Sequence, residues 1–165
     1  MENIPFLQEV CGKKRLMADG KPFFIRGGEL HNSSASSLDY LEEKVWPALR
    51  GMHLNTVVLP VTWELTEPEE GHFDFSLPDG ILAQARREGV NLVLLWFGLW
   101  KNAQSAYVPD WVKLDTERFF RVRDTSGTPL KNVSPLCGEA VEADAKAFSA
   151  LMRHLREADG GRTVL

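Results

Sequence analysis

Cysteine is scarce in this chain: two residues among 165. Cys11 and Cys137 can build neither a disulfide framework nor a four-thiolate zinc site, so both read as reduced thiols. None of the four histidines stands at metal-ligand spacing from another His or Cys, so no metal is expected, and no cofactor. Cationic excess is missing too. Nineteen Lys+Arg face 23 Asp+Glu, a net charge of −4, which argues against a nucleic-acid partner. The longest apolar run, residues 92–97, is far short of the ~20 residues that cross a bilayer. Residues 1–17 lack the apolar core of about 7–15 residues that a secretory signal needs. A cytoplasmic chain with no membrane partner is therefore expected. Neither GxGxxG nor GxxxxGK[ST] occurs, which removes the common dinucleotide and P-loop nucleotide sites.

What is present is a globular composition, 44% hydrophobic and 25% charged, at the length of one ordinary domain. Residues 1–21 form a polar N-terminal segment with a hairpin expected about Asp19-Gly20. Residues 23–26 read as a strand stopped by Gly27-Gly28. Leu38, Leu41, Val45, Ala48, Leu49 and Met52 then fall on one helical face, with Pro47 kinking or restarting the helix and Gly51 ending it. Residues 55–61 and 91–97 are apolar runs suited to strands buried on both faces. Between them, residues 63–75 read as a loop and 77–88 as a helix. Residues 98–135 look long and irregular. A last helix carries the stripe Val141, Ala145, Phe148, Leu151, Met152 and Leu155, stops at Asp159-Gly160-Gly161, and gives way to a strand beginning at 162. This alternation predicts an α/β fold with a parallel sheet, either doubly wound or a barrel. The long polar loops that follow the strands favour the barrel, whose chemistry sits at the C-terminal ends of its strands.

Three such loops hold the candidate residues: GGELHN (27–32), TWELTEPEEG (62–71) and FGLWKN (97–102). Carboxylates, an imidazole, amides and indoles in combination suit a sugar, because indole faces stack on pyranose C–H groups while carboxylates and amides bond hydroxyls. The substrate-binding candidates are Glu29, His31, Trp63, Glu67, Trp100 and Asn102. Other roles compete at several of these positions. Glu67, before Pro68, could instead fix its loop by accepting backbone N–H groups. Glu69 and Glu70 read as a solvated charge run. Trp46 and Trp96 read as core, Trp111 as core or groove lining, and the direction of Glu64 is open.

With TWELTEPEEGHFDF, WFGLWKNA and YVPDWV, these strings resemble the N-terminal part of β-galactosidases of glycoside hydrolase families 35 and 42, over roughly residues 22–165. The resemblance implies a (β/α)8 TIM barrel, here incomplete, with about three βα units and the start of a fourth strand. It also implies retaining hydrolysis of terminal β-galactosides in carbohydrate metabolism. Retention requires two carboxyl groups about 5–5.5 Å apart. In these families the acid/base glutamate follows an asparagine after the fourth strand and the nucleophile follows a later one. No Asn-Glu pair occurs in this sequence, so no catalytic residue is assigned and the chain alone is expected to be inactive. One alternative is a non-catalytic carbohydrate-binding or regulatory remnant of such an enzyme. Another is a different barrel enzyme that uses Glu29 and Glu67. Open sheet edges on a partial barrel would also favour self-association.

Overall fold

The computed structural model describes residues 4–101 and 106–165. They form two compact units. One holds the described residues up to Pro60 with Pro78–Leu95 and His154–Leu165; the other holds Val61–Leu77 and the described part of Trp96–Arg153. Among the described residues, no helix is long and apolar enough to cross a membrane.

The first unit opens with an antiparallel meander, β1 (Phe6–Val10), β2 (Lys13–Ala18) and β3 (Lys21–Pro22). Its register runs from Phe6 opposite Met17 to Val10 opposite Lys13, and then Ala18 opposite Lys21. Both connections are two-residue turns with positive φ at each position: 52° and 73° at Cys11-Gly12, 50° and 70° at Asp19-Gly20. That geometry matches the right-handed twist of the strands it joins.

Residues 23–26, expected as a strand, are not one. The strand β4 is Gly27–Glu29, parallel to β5 (Thr56–Thr62), with Gly27, Gly28 and Glu29 opposite Thr56, Val57 and Val58. The displacement has a local cause. The Asn55 side chain takes the preceding backbone groups, accepting from Arg26 N–H at 2.7 Å and donating to the Phe24 carbonyl at 2.8 Å. The Gly-Gly pair then lets the chain approach its neighbours closely, since a Cβ on Gly28 would lie 3.1 Å from Leu54 Cδ1.

The helix expected over 38–50 is built in three pieces: α1 (Leu38–Tyr40), a π-helical turn (Leu41–Val45) and α2 (Trp46–Leu49). Ser37 caps the start, its hydroxyl accepting from Tyr40 N–H at 3.3 Å. Pro47 accounts for the widened turn. It has no N–H to give, and its ring would collide with the carbonyl four residues back in a regular helix. The helix α4 (Ser76–Glu88) buries Ile81, Leu82 and Ala85. Its Gln84 accepts from Trp46 Nε1 at 2.7 Å and donates to the Leu38 carbonyl at 3.1 Å. The strand β6 (Asn91–Phe97) follows β5 in the sheet order β4-β5-β6. β5 is buried on both faces apart from Val58, whereas β6 is half-buried at 93–96. The strand expected from 162 is a single parallel bridge between Val164 and Leu92, with Leu92 N–H donating to the Thr163 carbonyl at 2.8 Å.

The second unit contains α3 (Trp63–Thr66), α5 (Asp110–Leu114), the antiparallel pair β7 (Arg121–Arg123) and β8 (Pro129–Val133), and most of α6 (Gly138–Ala158). The described part of the stretch 98–135 is therefore organised rather than irregular. Its core gathers Trp63, Val108, Val112, Phe119, Val133 and Cys137 against Ala140 and Ala147 of α6. That last contact corrects the expected helix face. Leu151 and Leu155 are buried as read, but Val141, Phe148 and Met152 are exposed, and alanines take the inner positions. Alanines bring the helix backbone closer to the cluster than larger side chains would.

Candidate functional site

The loop after β5 is organised around one buried carboxylate. Glu67 is 2% exposed. Its Oε2 accepts from Trp63 Nε1 at 2.8 Å and its Oε1 from Gly71 N–H at 2.8 Å. The Glu67 carbonyl accepts from Trp111 Nε1 at 3.1 Å, and Trp111 meets Trp63 edge-on, with centroids 5.7 Å apart. Trp63 is wholly covered. The sequence reading offered both residues to a sugar. The structure turns both inward: the buried indole N–H needs an acceptor, and the Glu67 carboxylate that supplies it also accepts from the part-buried Gly71 N–H. The alternative role, fixing the loop by accepting a backbone N–H, is the one observed for Glu67.

Glu70 is not a free surface charge. Arg118 grips it with two parallel bonds of 2.9 and 2.8 Å and also reaches Glu139 at 3.1 Å. The guanidinium beside Glu70 holds its carboxyl below the usual range. Glu64 pairs with Lys113 at 2.8 Å, and Lys113 also meets Asp110 at 3.3 Å. Burial lowers the Lys113 ammonium pKa, but its two carboxylate partners outweigh that and leave it raised. A cleft of about 200 Å³ is lined by Glu67, Trp111, Arg118 and Lys146, among others. Arg118, Lys113 and Asp144 below were not singled out from the sequence. The only signal of Arg118 and Lys113 is charge inside a stretch without periodicity, and that of Asp144 is an acidic position near the start of the last helix.

The loop after β6 is held by a second carboxylate. Asp144 accepts from Trp96 Nε1 at 2.6 Å and from Leu99 N–H at 2.8 Å. Gly98 leaves room for this clamp, since a Cβ there would overlap both Asp144 oxygens and Trp96 Nε1. Gly98→Ala should therefore displace the carboxylate and cost about 2–4 kcal/mol, the worth of one to two charge-assisted hydrogen bonds. Urea unfolding of the variant beside the parent checks this; a loss under about 0.5 kcal/mol would mean that the clamp relaxes freely. Trp100 is 55% exposed. Lys101 Nζ lies 4.5 Å from the Phe97 ring centroid. Asn102 lies outside the described residues.

Glu29 and His31 belong to the first unit, and both are exposed. Glu29 ends β4, and the backbone beyond it is anchored by Leu30 N–H to the Val58 carbonyl at 2.8 Å. The His31 carbonyl accepts from Ser34 N–H at 2.9 Å, which turns the chain there. The structure thus joins Trp63 to Glu67 in one unit and places Glu29 and His31 two residues apart in the other. Among the described residues, no group of three His, Cys, Asp or Glu side chains could hold a metal ion.

Residues 41–119 match the sequence profile of glycoside hydrolase family 42, described as beta-galactosidase. A beta-galactosidase of Xanthomonas manihotis is 34% identical over 83 residues, which make up 48% of this chain and 14% of that protein. Among solved structures, an exo-beta-1,4-mannosidase from Opitutaceae bacterium strain TAV5 shares the fold with a TM-score of 0.54. That match covers 81% of this chain and 22% of the mannosidase at 19% identity. The matches therefore span under a quarter of the length of either relative. The buried Trp63–Glu67 loop and the α5 segment both fall inside the matched stretch, and over it the chain is similar to β-galactosidases of glycoside hydrolase family 42.

Proposed function

We propose that this chain is the sugar-holding N-terminal portion of a (β/α)8 barrel that cleaves terminal β-galactosides with retention. Glu29, His31, Trp100 and Asn102 contact the galactosyl residue in this reading. Trp63 and Glu67 act from behind, holding the loop after β5. Turnover falls to an acid/base and a nucleophile supplied by neither Glu29 nor Glu67, so the chain alone binds without hydrolysing. The observation that carries the reading is the position of its two most specific motifs. GGE forms a strand parallel to β5, and TWELTEPEEG, which lies within the matched stretch 41–119, begins at the last residue of β5. Strand-end loops are where barrel enzymes hold substrate.

Calorimetric titration of the chain with galactose and with mannose tests this, alongside an assay with nitrophenyl-β-galactoside. The expected result is galactose binding in preference to mannose, at least about tenfold weaker after Glu29→Gln or His31→Ala, with no nitrophenol released. Nitrophenol release that Glu29→Gln abolishes would overturn the non-catalytic assignment. Equal binding by parent and variants would remove Glu29 and His31 from the site.

A further inference from the structure

The second unit carries a groove with the opposite sign to the rest of the chain. It measures about 700 Å³ and is lined by Lys113, Phe120, Arg121, Arg123, Leu130 and Lys131, among others, with no carboxylate in its wall. Four cations facing one groove is unusual in a chain of net charge −4. Lys113 is neutralised by Glu64 and Asp110. The other three are not: among the described residues, no carboxylate lies within ion-pair distance of Arg121, Arg123 or Lys131.

Arg121 is the most telling of the three. Its Nη2 donates to the carbonyls of Val112 and Lys113, which fixes the guanidinium but leaves its charge unopposed. Its Nη1 is buried and has no hydrogen-bond partner among the described residues. Leaving a guanidinium charge unopposed in a part-buried setting is costly, and an anion in the groove would offset that cost electrostatically. Arg123 is held by one bond to the Gly127 carbonyl at 2.8 Å, so its remaining donors are available. Phe120 and Leu130 are 47% and 45% exposed in the same wall and supply an apolar face. The volume lies within the range of organic-ligand sites and far exceeds a single oxyanion.

We propose that this groove binds an anionic saccharide, its rings against Phe120 and Leu130 and its carboxylate or sulfate groups held by Arg121, Arg123 and Lys131. The anionic character follows from the uncompensated cations. The choice of a saccharide over an acidic peptide rests on the glycosidase reading above, together with the exposed aromatic face. Guanidinium forks suit carboxylate and sulfate alike.

The test titrates the full chain with trigalacturonate, sulfated galactotriose, neutral galactotriose and polyaspartate. At least one of the two anionic saccharides should bind about tenfold or more tightly than galactotriose, and which of them binds identifies the acidic group. That binding should weaken at least about tenfold in the double variant Arg123→Gln/Lys131→Gln and again in about 0.5 M salt. Both substituted residues are exposed, and an unchanged melting temperature verifies that the variant is folded. The proposal is overturned if neither anionic saccharide outbinds galactotriose, if the double variant binds as the parent does, or if polyaspartate binds as tightly. Galactose binding dependent on Glu29 and His31 should be untouched by the double variant. Its absence, with trigalacturonate binding intact, would sink the earlier reading and leave the groove standing.

Discussion

Asp159→Ala is expected to destabilise the first unit by about 4 kcal/mol, a large share of the ~5–15 kcal/mol that holds an ordinary domain together. Asp159 is 3% exposed and ends the last helix of the chain. One of its oxygens accepts from Thr163 N–H and Val164 N–H, both at 3.0 Å, and the other from Arg86 Nη2 at 2.8 Å. Arg86 Nε in turn donates to the Thr163 hydroxyl at 2.9 Å. A methyl at position 159 leaves the buried Thr163 N–H and the part-buried Val164 N–H without their acceptor and removes the carboxylate partner of the half-exposed Arg86, which costs more than the bonds themselves are worth. Asp159→Asn keeps the shape and an acceptor but loses the charge, and about 2 kcal/mol is expected. Urea unfolding gives both values. The carboxyl also predicts an acid limb. Burial pushes its pKa up, but the Thr163 and Val164 N–H groups, the Thr163 hydroxyl and Arg86 outweigh burial and hold it below the ordinary value. A group depressed in the folded state contributes fully above its unfolded pKa, near 3.9, and loses that contribution as pH falls through the folded value. The parent's melting temperature should drop between about pH 5 and pH 3, and the drop should be shallower in Asp159→Asn. Parallel pH profiles would dismiss the carboxylate as the source.

The sequence exposed some of these features and hid others, for physical reasons. β5 and α4 were legible because an apolar run and a 3.6-residue period are properties of the chain alone. Pro47 announced a break, and the π-helical turn before it is the form the break takes. Residues 23–26 were misread because a β-branched and aromatic run looked like a strand, while the decisive partner, Asn55, lies about thirty residues away. The last helix was correct in extent and partly wrong in face. Val141, Phe148 and Met152 dominate any apolar pattern, yet Ala140 and Ala147 face the cluster, since closeness of approach rather than side-chain size decides that contact. α5, β7 and β8 are short and joined through tertiary contacts, so they leave no periodic trace. At the site, the residue types for sugar recognition could be read, but the directions of Trp63 and Glu67 could not. Direction depends on which buried donors the fold must satisfy, and Trp63 Nε1 becomes one only after the loop has closed over it.

That dependence makes Glu67 the sharpest test of the site. Glu67→Ala should cost about 4–5 kcal/mol, because Trp63 Nε1 and Gly71 N–H lose their acceptor together and the buried side chain leaves a cavity. Glu67→Gln should cost about 2 kcal/mol: its oxygen can accept from one of the two donors, but its NH2 then faces the other. Tryptophan fluorescence during urea unfolding reports on the same contacts, since Trp63 donates to this carboxylate and Trp111 to the Glu67 carbonyl. Were Glu67 instead a direct sugar ligand, Glu67→Gln would weaken galactose binding while leaving the unfolding midpoint within about 0.5 kcal/mol of the parent. A positioning role gives the opposite order, with the midpoint falling first and binding following only as the loop loosens. Measuring both quantities on the same two variants therefore separates a carboxylate that holds the loop from one that holds the sugar.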